Sequence, residues 1–261
     1  MKRYLLPLLC LACGPAFAMD ILRTAAQPQS EPKYVGAEAP GHPAIEGLCV
    51  DLYRAIERTD GRLAFTGDQQ WSPPARIDAS IAAGQLDVAC AMVKTDARAA
   101  GATMAEPALF ALNYVLLTRA ADPVAVSRLS DIARLDGENV VLSMLGTGPS
   151  RQLAATPGLR VDAGSSGVRQ NLHKLVLGRG RFFYYRLPAL NPVVREYCAR
   201  REIRVLPAVM RTEPTYMMIG KHVAPAVSQR IGAALRKLKD SGELDQLLRK
   251  WKVGDDAVAS C

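Results

Sequence analysis

The chain has 261 residues, 49% hydrophobic and 22% charged, with 33 Lys and Arg against 25 Asp and Glu. Such a composition excludes wholesale disorder and suits one large domain or two modest ones. The positive charge is scattered, with no long basic run and no basic-aromatic stripe. This argues against a nucleic-acid partner and leaves solubility, or a bias toward anionic ligands, as its role.

The first residues form a separate unit. Lys2 and Arg3 precede a short apolar run at 4–13, interrupted by Pro7, and Ala16-Phe17-Ala18 has the A-x-A form of a cleavage site. These are the parts of a signal peptide, with cleavage expected after Ala18 and a periplasmic destination. The run is too short to span a bilayer, and no later stretch approaches the ~18 apolar residues that a spanning helix needs. Cys10 and Cys13 fit a lipobox poorly, so a lipid anchor is not expected.

Strand and helix signals then alternate. Residues 21–25 are a strand candidate, and 28–43, rich in Pro and Gly, a loop. A helix is predicted over 51–58, with Leu52, Ala55 and Ile56 on one face and Gly61 as its stop. A strand follows at 63–66. Pro73 and Pro74 suit a first helical turn, Ile77 and Ile81 share a face, and Gly84 fits a C-cap. Residues 86–93 and 140–145 are nearly continuous apolar runs, the pattern of strands buried on both faces in a parallel sheet. Strands are predicted at 114–118, 181–185, 203–206 and 216–219, and helices from 150, at 168–177 and at 191–200. The last region is the most periodic: Val227, Ile231, Leu235 and Leu238 form one stripe. Gly242 interrupts it, and Leu244, Leu247, Leu248 and Trp251 resume it. The pattern predicts an α/β protein with parallel sheets.

Chemistry-bearing residues are few. Four cysteines remain after cleavage (Cys49, Cys90, Cys198, Cys261), with no zinc spacing and no C-x-x-C, and an oxidising compartment allows three full pairings. His42, His173 and His222 are far apart and form no ligand cluster, so neither metal nor cofactor is expected. Gly164-Ser165-Ser166-Gly167 has the wrong spacing for a nucleophile elbow, and no paired carboxylates stand out.

Five passages, in order, resemble the extracellular solute-binding proteins of family 3, the polar amino-acid receptors of ABC transporters. Glu46 to Leu52 is similar to the family's G-F-x-V-D-L helix opening. Trp71 to Arg76, followed by Ile81 to Asp87, is similar to its helix-to-strand passage. Lys94-Thr95-Asp96-Ala97-Arg98, with Glu106-Pro107 behind it, resembles its T-x-x-R motif. Leu145-Gly146-Thr147-Gly148 resembles its second-lobe strand-end loop, and the run from Ile231 to Trp251 its closing helix pair. The resemblance covers nearly all of the mature chain.

It implies a two-lobed type II periplasmic-binding-protein fold with two crossing hinge strands. Lobe 1 would comprise 19–112 and 219–261, and lobe 2 would comprise 113–218. Ligand would enter the cleft and be enclosed by hinge closure. Cys49 and Cys90 would both fall in lobe 1, which favours their pairing. The implied protein is a monomeric, non-enzymatic receptor for a small-molecule ligand, working with an inner-membrane ABC permease. The alternatives are a ligand-sensing subunit of a signalling or redox system, or a dehydratase, which this fold also supports but which needs a general acid in the cleft.

The resemblance also assigns candidate ligand contacts. Arg98 would hold a carboxylate through its planar fork. Thr95 would donate from the same loop, Gly146 and Thr147 would offer backbone N–H groups, and Trp71 and Tyr34 would wall the cleft. Lys94 and Arg76 read better as surface residues. Two departures stand out. Ala91 and Val93 occupy places where the family usually has Ser or Thr. In Gly178-Arg179-Gly180-Arg181-Phe182-Phe183-Tyr184-Tyr185-Arg186, the place of the aspartate that holds an amino acid's ammonium falls on Arg186, or on an aromatic if the register shifts by one or two. An ammonium facing a cation is strongly disfavoured. The expected ligand is therefore a di-anionic or aromatic acid, held by Arg98 and Arg186 and walled by Tyr184 or Tyr185.

Overall fold

The computed structural model describes residues 19–36, 45–186 and 192–253. The expected signal peptide, His42 and Cys261 lie outside the described residues.

The first lobe begins with β1 (Asp20–Arg23), the short β2 (Val35–Gly36) and β3 (Ile45–Glu46), and α1 (Leu48–Thr59). It continues through β4 (Leu63–Thr66), α2 (Pro74–Ala82), β5 (Val88–Val93) and α3 (Asp96–Gly101). Helix α1 buries Leu48, Leu52, Tyr53, Ala55 and Ile56, the stripe expected from 3.6-residue periodicity. Pro73 and Pro74 open α2, whose inward face is Ile77 and Ile81. Strand β1 pairs in parallel with β4.

Strand β6 (Ala102–Arg119) then carries the chain into the second lobe, which holds α4 (Leu129–Ile132), β7 (Val140–Met144), α5 (Gly148–Ala154), β8 (Arg160–Ser165), α6 (Val168–Val176), β9 (Phe182–Arg186), α7 (Pro192–Ala199) and β10 (Ile203–Val205). Strand β11 (Arg211–Gly220) returns to the first lobe, which closes with α8 (Pro225–Asp240) and α9 (Glu243–Lys250). Trp251 Nε1 and Lys250 Nζ both donate to Asp51 Oδ2, at 2.6 and 2.7 Å, and fasten this closing pair to α1.

One seven-stranded sheet, ordered β5-β11-β6-β9-β7-β8 with β10 on β6, runs through both lobes. Its middle corrects the all-parallel expectation. All six residues of β5 are buried, as the apolar run predicts, yet β5 pairs antiparallel with β11, which pairs antiparallel with β6. Within this sheet, among the described residues, the parallel pairs are β7 with β8 and β7 with β9. An apolar run records burial on both faces but not the direction of the neighbouring strand. The expected strand at 114–118 is the inner end of β6, which is 18 residues long because it crosses between lobes. Thr103, Glu106 and Asn113 interrupt its apolar pattern. Short elements without a buried stripe (α3, α4, β8) gave no signal of their own.

The apolar cores divide in the same way. Leu22, Leu52, Ile56, Val88, Ile231 and Leu235 form the main first-lobe cluster, and Ile77, Ile81, Ala89, Met92 and Met218 a second beneath α2. In the second lobe β9 alternates: Phe183 and Tyr185 join Val168, Leu172 and Leu175 on one face, while Phe182 and Tyr184 join Leu116 and Leu153 on the other.

Cys49 and Cys90 form a disulfide, Cα–Cα 5.9 Å, tying the start of α1 to β5. Cys198 is also disulfide-bonded.

Candidate functional site

A cavity of about 220 Å³ lies between the lobes, many times the ~10–15 Å³ that admits one water. Its cationic groups are Lys33 and Arg98 from the first lobe and Arg186 from the second. No Asp or Glu is among the described residues lining it. Pro73, Pro74, Leu112, Met144 and Leu145 supply apolar wall, and Tyr114 and Tyr184 stack with centroids 5.0 Å apart. Burial raises the pKa of both phenols, Tyr184 to about 12, so both remain neutral O–H groups at physiological pH.

Arg98 sits on α3, whose N-cap is Thr95: the Thr95 hydroxyl accepts from the Arg98 N–H at 3.3 Å. The Arg98 side chain is buried. Its Nε donates to Asp78 Oδ1 at 2.9 Å, its NH2 to Asp78 Oδ2 at 3.3 Å and its NH1 to the Val93 carbonyl at 2.8 Å. Three of the five guanidinium N–H groups are thereby engaged, leaving one on NH1 and one on NH2. Asp78 also lies 3.6 Å from Arg151 of α5, an ion pair between the lobes.

Lys33 was missed by sequence reasoning, because a Pro- and Gly-rich loop has no periodicity to say which way a side chain points. Its carbonyl accepts the Cys49 N–H at 3.0 Å, while Leu48 N–H donates to Pro32. Gly47 (φ 133) makes this approach possible: a Cβ there would overlap the Lys33 carbonyl. The side chain enters the cavity, and Nζ donates to Gln27 Oε1 at 2.9 Å and to the Ala91 carbonyl at 3.1 Å. Ala91 has φ 51, at an irregularity in the β5–β11 ladder, an uncommon conformation for a residue with a side chain. Burial first, and then Arg186 and Arg98, lower the Lys33 pKa to about 7, with Asp78 opposing them.

Arg186 reaches across the cleft. It donates to the carbonyls of Glu31 and, at 3.3 Å, of Gln29, lies 3.8 Å from the Glu31 carboxylate, and stacks over Tyr185 at 5.6 Å. Gln29 makes a second contact between lobes: its Oε1 accepts the Val168 N–H at the start of α6, at 3.0 Å. Gly148 completes the closure, since a Cβ there would sit 3.0 Å from Thr95 Cγ2.

Of the sequence candidates, Arg98, Thr147, Tyr184, Tyr185 and Arg186 line the cavity together. Thr147 does so while capping α5, its Oγ1 accepting from Ser150 N–H. Thr95 is the cap just described, and Gly146 (φ 75) forms the turn after β7; neither is in the lining. Tyr34 is corrected to a core residue: it is 1% exposed, and its hydroxyl lies 3.2 Å from that of Tyr53, itself 2.8 Å from Thr24. With Lys33 pointing into the cleft, its neighbour turns into the lobe. Trp71 is 46% exposed and outside the lining, because Ala26↔Trp71 bridging fixes its backbone at the lobe surface. Arg76 and Lys94 are exposed.

Among the described residues no cluster of three or more His, Cys, Asp or Glu is placed to hold a metal, and no helix is long and apolar enough to cross a membrane.

Two α/β lobes, two long crossing strands and a cavity between the lobes define a solute-binding protein of the type II periplasmic architecture. The chain belongs to the bacterial extracellular solute-binding proteins, family 3, whose profile matches residues 22–254. Proteins of this family bind small molecules and work with ABC transporter permeases. No curated protein matches in sequence. Among solved structures, the chain is similar to ytmK from Bacillus subtilis, a probable amino-acid ABC transporter extracellular-binding protein (TM-score 0.71, 16% identity, 91% of this chain and 99% of that one). It is similar to the amino acid ABC transporter substrate-binding protein AbpA from Streptococcus pneumoniae, bound to L-arginine (0.69, 17%, 89% and 95%). A histidine kinase sensor domain is also similar (0.70, 16%, 89% and 96%).

Proposed function

We propose that this chain is an exported periplasmic receptor, released from its signal peptide after Ala18, that captures a small carboxylate-bearing anion and presents it to an inner-membrane ABC permease. The reading rests on one observation: Lys33, Arg98 and Arg186 line the cleft, and no carboxylate does among the described residues. Low-dielectric walls strengthen the attraction of such a site for an anion. Arg98 offers two remaining N–H groups, held in orientation by Asp78, and the neutral Tyr114 and Tyr184 hydroxyls offer further donors. The stacked rings suit a ligand with a flat or apolar part.

A thermal-shift screen of the mature protein against carboxylates, amino acids, sugars and polyamines tests this. Ligand at about 100-fold its Kd adds about 2.7 kcal/mol, a rise of several degrees. The expected hits are carboxylates, lost in Arg98→Ala. Hits confined to sugars or polyamines overturn the reading. Incubation with prephenate or arogenate, expected to give no turnover, separates capture from catalysis.

A further inference from the structure

The three cleft cations differ in how their charge is met. Arg98 faces Asp78 at 2.9 Å, and Arg186 faces Glu31 at 3.8 Å. Lys33 has no carboxylate partner among the described residues; its two hydrogen bonds go to neutral carbonyl oxygens. It is 6% exposed, so solvent does not offset its charge. The charged groups around it are Arg98 on α3, Arg186 on β9 and Asp78 on α2, with the Tyr114, Tyr184 and Tyr185 rings also lining the cavity. Arg151, half exposed at the rim, shares Asp78 and is screened by water. The uncompensated charge inside the cavity is therefore that of Lys33. Its ammonium has three N–H groups, two of them engaged, so one donor remains.

We propose that Lys33 sets the net charge of the ligand: the site takes a carboxylate of net charge −1 whose second polar group is a hydrogen-bond acceptor. That is the chemistry of a 2-hydroxy or 2-oxo acid, and the site rejects the zwitterionic amino acid of the same side chain. The proposal rests on the anion reading above. A zwitterion leaves the Lys33 charge unmatched and adds an ammonium to a cavity that already holds three cations. A hydroxy or oxo acid brings one compensating charge and an acceptor for the remaining N–H. The titration behaviour agrees: burial and two arginines hold the Lys33 pKa near 7, and an anion beside it favours the charged form.

The test compares matched pairs by calorimetry at pH 6.5: lactate with alanine, 2-hydroxyisocaproate with leucine, and 3-phenyllactate with phenylalanine, together with the corresponding 2-oxo acids. The expected result is that at least one hydroxy or oxo acid binds ten or more times tighter than its amino acid, and that Lys33→Met reduces this ratio to threefold or less. Lys33→Met removes a buried charge and is expected to fold; Lys33→Gln is the second variant, retaining a donor without the charge. A ratio unchanged in both variants overturns the role of Lys33 and leaves the anion reading standing. Tighter binding of the amino acid overturns the charge rule. Binding of other anions in the wider screen, with none of these acids binding, overturns the ligand class alone. No binding by any anion overturns both readings.

Discussion

Asp78 holds Arg98 through two contacts, Nε to Oδ1 at 2.9 Å and NH2 to Oδ2 at 3.3 Å. The carboxylate grips one side of the guanidinium and leaves one N–H on each terminal nitrogen. An arginine fixed in this way loses little side-chain freedom on binding a second carboxylate. Asp78→Asn keeps the shape but removes the charge. Ligand affinity is expected to fall by roughly 1 kcal/mol, about fivefold. Arg98→Ala is expected to cost roughly 2–4 kcal/mol. Calorimetry on the two variants checks the order.

The Cys49–Cys90 disulfide is expected to support the site as well as the fold. It closes a separation of 41 residues, for which loop entropy gives roughly 4 kcal/mol. Cys49 N–H holds the Lys33 carbonyl, and the residue after Cys90 holds Lys33 Nζ. A Cys49→Ala/Cys90→Ala variant is expected to melt roughly 10 °C lower and to bind anions several-fold more weakly at a temperature where it remains folded. Calorimetric melting and ligand titration read the two effects separately.

The loop carrying Gln29 and Glu31 latches the lobes through Val168 and Arg186. Gln29→Ala removes the bond to the Val168 N–H, worth about 1 kcal/mol. Small-angle scattering without ligand is expected to give a larger radius of gyration than the wild type, and saturating ligand is expected to restore the smaller value.

Lys33 also makes stability depend on pH. Its folded pKa, about 7, lies below the ordinary lysine value of 10.5. Between these values the unfolded chain binds the extra proton, so this residue's contribution to stability rises as pH rises from 7 to 10. Below pH 7 the folded protein carries the buried charge at full cost. Lys33→Met is expected to raise Tm most at or below pH 7, and the gain is expected to shrink toward pH 10. In the wild type, affinity for an anion is expected to fall as pH rises above 7.

Asp87 adds a pH dependence of the same sign in the acid range. Burial pushes its pKa up, but hydrogen bonds from Arg23 and His222 outweigh this and hold it at about 2, against 3.8. Its contribution is present above about pH 4 and lost as pH falls toward 2, about 2 kcal/mol at most. Asp87→Asn is expected to melt lower at pH 7 and to show a shallower decline between pH 5 and 2.

The elements with a strong apolar period are legible from residue order alone: α1, α2, β4, β5, β7, α6, and the α8–α9 pair broken at Gly242. Those patterns are local, because burial of a stripe or a run is written in residues a few positions apart. The five passages then pointed to the family, and T-x-x-R pointed to Arg98. The disulfide was one of three open pairings until the family's lobes were considered.

The make-up of the site arises only when distant segments meet in the folded chain. Asp78 meets Arg98 across 20 positions, and Arg186 meets Glu31 across 155. Lys33 enters the cavity while Tyr34 joins the core, although both lie in the same loop. No periodicity encodes these facts. They follow from where two lobes and a disulfide place distant backbone segments, and charge pairing depends on distances that exist only after folding.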